Sequence, residues 1–163
     1  MKIGGASLEI SSKNLKGFKV YDHESSEPWG TIKDVCFDCN PAKVKCFVVE
    51  TLSLVPIAKI VEFGQVNNII KGAVVLKKGA MAKPCKASGI NGQLSFDNVA
   101  KVAYANHTRT RLRDIRFDFE TGEMTDLIVS KNILSPQNHI KANQIVLKEN
   151  TVYMQSEGGN DNV

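Results

Sequence analysis

The sequence predicts an all-β protein built from two tandem units, and three observations carry that prediction. The first is a repeat. Every residue from Asp34 to Val49 has a counterpart eighty positions on without a gap, among them Asp34/Asp114, Phe37/Phe117, Asp38/Asp118, Val44/Met124 and Val49/Val129; Thr31 matches Thr110 one residue out of step. The second is period. Val35 and Phe37 face one way and Asp34, Cys36 and Asp38 the other, the alternation of a strand half covered by a core. The third is a shared break in that period. Ile32 is out of phase with Val35, as Leu112 is with Ile115, which calls for a bulge or strong bend. Strongly bent strands are how small sheets close into barrels.

Taken in order, Leu15 to Tyr21 reads as a first strand with Gly17 as a bend, and Asp22 to Gly30 as a turn rich in Ser, Pro and Gly. Trp29, the sole tryptophan, is placed to cap a core edge. Gly30–Asp38 and Val44–Glu50 form a hairpin around Cys39-Asn40-Pro41-Ala42. The second hairpin turns at Glu120-Thr121-Gly122, where glycine is free to take positive φ. Thr51 to Ile60 lacks a clean period, and Pro56 excludes a long helix, so a strand or extended crossing segment is expected, ending at Ala58–Val61. Phe63, Val66 and Ile69 recur every three residues, which suits a single helical turn or a 3₁₀ turn, before a closing strand at Gly72–Leu76. In the second unit Leu94-Ser95-Phe96 and then Val99–Tyr104 stand where the first strand should be, and Ile140–Ile145 leads to a closing strand at Thr151–Met154. The organisation expected is a first unit over residues 1–78, a linker over 79–90, a second unit over 91–155 and a disordered polar tail over 156–163. Each unit is about eighty residues, a size at which one core is only modestly stable, so some stability is expected from packing unit on unit.

Composition narrows the function classes. Residues 1–80 carry eleven Lys against eight acids, and residues 81–163 carry six Lys and four Arg against nine acids, so neither half demands a polyanion. Phe47–Phe63 is broken by Glu50, Pro56, Lys59 and Glu62 and cannot span a bilayer, and Met1–Asn14 has no signal-peptide core. A soluble cytoplasmic protein is expected. Of the four cysteines, Cys36, Cys39 and Cys46 have no counterparts in the second unit, where Arg116, Phe119 and Asp126 stand. A disulfide framework would have been duplicated with the fold, so free thiols are expected.

Several motifs in the first unit resemble the PRC-barrel domain: Leu15-x-Gly17-x-x-Val20, then Gly30-x-Ile32-x-Asp34-Val35-x-Phe37-Asp38, then Phe63-x-x-Val66-x-x-Ile69 and Gly72 to Val75. The second unit follows the pattern well from Arg111 to Val129 and poorly before Tyr104, with His107-Thr108-Arg109 at the start of its strand. The resemblance implies a β-barrel of about five or six strands in each unit and a module that attaches to larger assemblies. It implies no catalytic residues, because the family shares no active site.

Candidate chemistry is sparse. Cys36-x-x-Cys39 with Cys46 beyond a hairpin turn could bring three thiolates to a soft metal such as zinc, with Cys85 or His23 as a fourth ligand, or serve redox chemistry. Against this, Cys36 and Cys39 fall at opposite phases of an extended strand, and small buried side chains are the simpler expectation. Asp34, Asp114, Asp38 and Asp118 suggest paired carboxylates, but backbone N–H groups at bulges and turns account better for their repetition. His23, His107 and His139 are isolated, and there is no phosphate-binding glycine loop. All the arginines, Arg109, Arg111, Arg113 and Arg116, lie in one segment whose alternation would line the first three on one strand face, suited to phosphate or carboxylate. No aromatics interleave with them to stack bases. The expectation is a non-enzymatic adaptor or scaffold for a protein partner, needing no cofactor, with homo-oligomerisation open. The alternatives are an RNA- or ribosome-associated factor using Arg109 to Arg116, and a metal or redox site at Cys36, Cys39 and Cys46.

Overall fold

The computed structural model describes residues 8–85, 94–95, 102–103, 109–148 and 151–154. The first half is a curled sheet. Its strands are β2 (Lys19–Tyr21), β3 (Gly30–Cys39), β4 (Ala42–Thr51), β5 (Ala58–Glu62), β6 (Val66–Ile70) and β7 (Ala73–Leu76), in the order β6-β7-β2-β3-β4-β5. The two end strands, β5 and β6, are consecutive in the chain and joined only by a 3₁₀ turn at Phe63–Gln65, so the sheet must curl until its ends meet. The three-residue spacing marked only its start, because Val66 and Ile69 already belong to β6. Pairing is antiparallel except between the first and last strands of the curl, β2 and β7.

The second half repeats this order. Its strands are β10 (Val102–Ala103), β11 (Arg109–Asp118), β12 (Met124–Ser130), β13 (Asn138–Lys141), β14 (Ile145–Lys148) and β15 (Thr151–Met154), arranged β13-β12-β11-β10-β15-β14. Again the end strands β13 and β14 are joined by a 3₁₀ turn, at Ala142–Gln144, and β10 runs parallel to β15. The fold is therefore all-β, as expected, with six strands in each curl.

The shared phase break is a bulge in both hairpins. Pairing steps from Ile32↔Val49 to Asp34↔Val48, and from Leu112↔Val129 to Asp114↔Ile128. The extra residue, Lys33 or Arg113, lets Ile32 and Val35, or Leu112 and Ile115, enter the same core. Phe37, Phe47, Phe117, Ile115 and Leu127 are fully buried there, and the apolar core runs continuously through both halves. Gly30 is required by packing: a Cβ there would lie 2.5 Å from Val49 Cγ1 and 2.8 Å from the Glu50 carbonyl oxygen. Gly122 takes φ +74°, as its turn position predicted, and a Cβ would sit 3.0 Å from the Phe63 ring.

Three local expectations need correction. Leu15 to Tyr21 is not one strand: Ser12–Leu15 is a single helical turn (α1), Gly17 bends the chain at φ +87°, and only Lys19–Tyr21 pairs. Leu15 is fully buried at the base of that turn. Leu52–Ile57 is a loop, not a strand, and β5 begins at Ala58. Within the 79–90 segment, β8 (Lys83–Pro84) pairs with β5. His107, most of Val99–Tyr104 and the 156–163 tail lie outside the described residues.

The halves exchange edges. The N-terminal strand β1 (Glu9–Ser11) pairs not with the first sheet but with β11, placing Ser11 opposite Arg116. In return β9 (Leu94–Ser95), expected from the sequence in the first strand of the second unit, pairs with β3 of the first sheet, placing Ser95 opposite Cys36. Between them Lys43 bridges antiparallel to Glu123, its own counterpart eighty positions on. A residue that meets its own repeat-mate lies on an approximate two-fold axis.

Candidate functional site

The repeated aspartates are occupied by the backbone. Asp34 Oδ1 accepts the Val35 N–H at 2.8 Å and Asp114 Oδ1 accepts the Ile115 N–H at 2.9 Å, each closing the bulge it sits in. Asp38 Oδ1 accepts from Cys39 and Asn40, and Asp118 Oδ1 from Glu120 and Thr121. Asp114 does more: it reaches into the N-terminal segment, accepting from the Ser11 hydroxyl, the Ser12 hydroxyl at 2.7 Å and the Lys13 N–H at 3.0 Å. A carboxylate from the second sheet thus caps the helical turn of the first, where free N–H groups need an acceptor.

The arginine segment is not a continuous cationic face. Arg113 occupies the bulge and donates Nε–H to Ser130 Oγ at 2.7 Å. Arg116 is half-buried between Ser11 and Asp126, its neighbours on either side in the sheet. Of the described arginine side chains only Arg111 is exposed; that of Arg109 lies outside the described residues.

The cysteines divide. Cys39 belongs to the apolar core, and burial pushes its thiol up to about 12, with the Asp38 carboxylate adding to the effect. Cys36 and Cys46 sit directly opposite each other on β3 and β4, buried but outside that core. The Cys36 thiol donates to the Cys46 sulfur; this bond, with burial behind it, pushes Cys36 far above the ordinary thiol range and draws Cys46 down. Cys85, half-buried, lies near enough for its charge to act on Cys36. The trio Cys36, Cys39 and Cys46 is therefore not brought together. Among the described residues no group of three His, Cys, Asp or Glu side chains is arranged to hold a metal ion. His23 and His139 are exposed.

Two loops that sequence reasoning passed over present apolar side chains to solvent. In the β4–β5 loop Leu54 is fully exposed and Val55 73% exposed; in the β12–β13 loop Ile133 is 87% and Leu134 96% exposed. Both loops are held by their own polar groups. Thr51 Oγ1 accepts from the Ile57 N–H at 2.9 Å, and Ser53 Oγ donates to the Val55 carbonyl at 2.6 Å. Asn132 Oδ1 accepts from the Leu134 and Ser135 N–H groups at 2.9 and 2.8 Å. The signal was in the sequence: Leu54-x-Pro56 and Leu134-x-Pro136 are eighty positions apart. A separate cleft of about 550 Å³ lies where the halves meet, lined by Leu8, Phe63, Lys77, Phe119 and Glu120 among others. Lys77 Nζ there is already bonded to the Gly64 carbonyl.

A PRC-barrel domain model matches residues 8–80. The matched span takes in β1 to β7, so the strand lent to the second sheet lies within the match. No curated protein matches the chain. PRC-barrel domains are small β-barrel modules often found in protein-interaction or scaffold roles. No helix among the described residues is long and apolar enough to cross a membrane.

Proposed function

We propose that this protein is a non-enzymatic adaptor, with the second sheet a diverged copy of the PRC-barrel domain, and that it engages protein partners through the tips of its β4–β5 and β12–β13 loops. The observation that carries this reading is the pair of fully exposed leucines, Leu54 and Leu134, at equivalent places on loops fixed by internal hydrogen bonds. Large apolar side chains on an ordered loop lose water contact on binding while little loop entropy remains to be lost. Strands β4 and β12 leave the antiparallel bridge at Lys43 and Glu123 in opposite directions, which carries the two tips away from each other. That placement suits a linker of two partner molecules. The carboxylates that could have served acid–base chemistry are instead committed to backbone N–H groups.

The test pairs Leu54→Asp/Val55→Asp with Ile133→Asp/Leu134→Asp. Wild-type protein is expected to retain a specific partner from cell extract. Each paired variant should bind it at least about tenfold more weakly, the effect of losing a hot spot worth roughly 1.4 kcal/mol or more. Thermal unfolding should be unchanged, because these side chains touch no core. The same proteins recovered by wild type and by the variant altered in both loops would overturn the proposal.

A further inference from the structure

The row of side chains around Cys36 has a chemistry that the adaptor reading does not use. In an antiparallel pair, directly opposed residues project to the same face with Cα atoms about 4.5–5.5 Å apart, within the roughly 4.4–6.8 Å that a disulfide spans. Cys36 and Cys46 are opposed in this way, and the Cys36 thiol already donates to the Cys46 sulfur. Register alone would not have aligned them. The hairpin closes with Cys39 opposite Ala42 and Phe37 opposite Val44, so a regular ladder would set Cys36 against Lys45; a second bulge, at Lys45, brings Cys46 into line. The equivalent bulge, at Thr125, aligns Arg116 with Asp126. Both sulfurs lie outside the apolar core cluster, on the face of β3 and β4 that the core does not occupy. The carboxylates of Asp34 and Glu62 lie near enough for their charge to act on the pair.

We propose that Cys36 and Cys46 are a reversible dithiol–disulfide site whose oxidant is a small hydroperoxide. The Cys46 sulfur, as thiolate, attacks the O–O bond of hydrogen peroxide; an S–O bond forms, the O–O bond breaks, and the hydroxide released takes up a proton to leave as water. The Cys36 sulfur then attacks the Cys46 sulfenic acid. An S–S bond forms, the S–O bond breaks, and the Cys36 proton leaves with the hydroxyl as a second water. Two thiols are oxidised by two electrons and one peroxide is reduced to two waters. A dithiol reductant reverses the linkage. The oxidant must be small because both sulfurs are buried, Cys36 at 0% and Cys46 at 2% exposure. Cys39, among core side chains, takes no part.

The test uses the intact wild-type chain, exposed to hydrogen peroxide, denatured, alkylated and mapped by mass spectrometry. Before oxidation all four cysteines should be alkylated. Afterwards Cys39 and Cys85 should remain alkylatable, and the peptides carrying Cys36 and Cys46 should be joined, two hydrogens lighter than their sum and separated by dithiothreitol. The Cys39→Ser variant should behave as wild type. Four alkylatable thiols after treatment, a sulfinic or sulfonic acid at Cys46 with no linkage, or a linkage through Cys39 or Cys85 would each overturn the proposal.

Discussion

The two hairpins share a backbone and differ in one row of side chains. Across the first sheet that row reads Cys36, Cys46, Glu62; across the second it reads Arg116, Asp126, Lys141. The bulges, the aspartate that closes each bulge and the core phenylalanine are the same in both. The row on the face away from the core is a thiol pair in one half. In the other it is an ionic row, in which Lys141 Nζ lies 2.9 Å from Asp126 Oδ1, an ion pair without hydrogen-bond alignment. The difference teaches where this fold is permissive. Core side chains and bulge aspartates define the bend, so they are held in common. The opposite face need only be compatible with its cover, and thiols or ions meet that condition by different means.

Transplanting one row into the other half tests this most severely. Cys36→Arg should destabilise the protein by roughly 3 kcal/mol or more in urea unfolding, because the site is fully buried and a guanidinium would have to be stripped of water and forced into space packed for a thiol, a cost that the charge of Asp34 offsets only in part. Adding Cys46→Asp should recover part of that loss, as the two positions face each other. A Cys36→Arg variant of wild-type stability would show that the first row is not sealed, and the comparison would fail.

A smaller effect is expected at the exchanged edge. Asp114→Ala removes the acceptor for Ser12 Oγ, which is buried, and for the Lys13 N–H, at roughly 1–3 kcal/mol for donors left unsatisfied. Hydrogen exchange should quicken over residues 9–13 and stay unchanged in β3 and β4. Uniform quickening through both sheets would mean that the arm is not a separable element.

The smallest is a pH effect confined to the first half, since Phe119 replaces Cys39 in the second. In the unfolded chain this thiol loses its proton near 9.0, whereas in the fold it holds it to about 12. Between those values the unfolded chain binds fewer protons, so the contribution is intact below the lower value and is lost as pH rises toward the higher one. Denaturant midpoints of wild type measured from about pH 8 to about pH 11 should fall more steeply than those of Cys39→Val. Parallel curves would remove Cys39 as the cause.

Much of the bend was legible before any coordinates. The phase slips at Ile32/Val35 and Leu112/Ile115 became bulges and the aspartates became acceptors for backbone N–H groups, whereas the spacing of Phe63, Val66 and Ile69 found only the start of a 3₁₀ turn, Val66 and Ile69 being in β6. The arginine face was misjudged because alternation assumes a regular strand, and Arg113 is itself the bulged residue. Leu54 was missed because apolar residues without period were read as a strand or extended crossing segment, and the loop of Leu134 was not read at all, although Leu54 and Leu134 obey the same offset of eighty as the core.

The sequence alone determined the all-β class, the repeat, the site of each bend and the residue that closes it, because these depend on side-chain period and on bonds between near neighbours. Only the tertiary structure decided that β1 and β9 change partners, that Asp114 caps a turn about a hundred positions away, and that Cys36 meets Cys46 and not Lys45. The physical reason is range. A three-residue strand carries too few side chains to name its partner, and a one-residue bulge shifts every pairing beyond it. Both are settled by which surfaces remain unpaired once the sheets have curled.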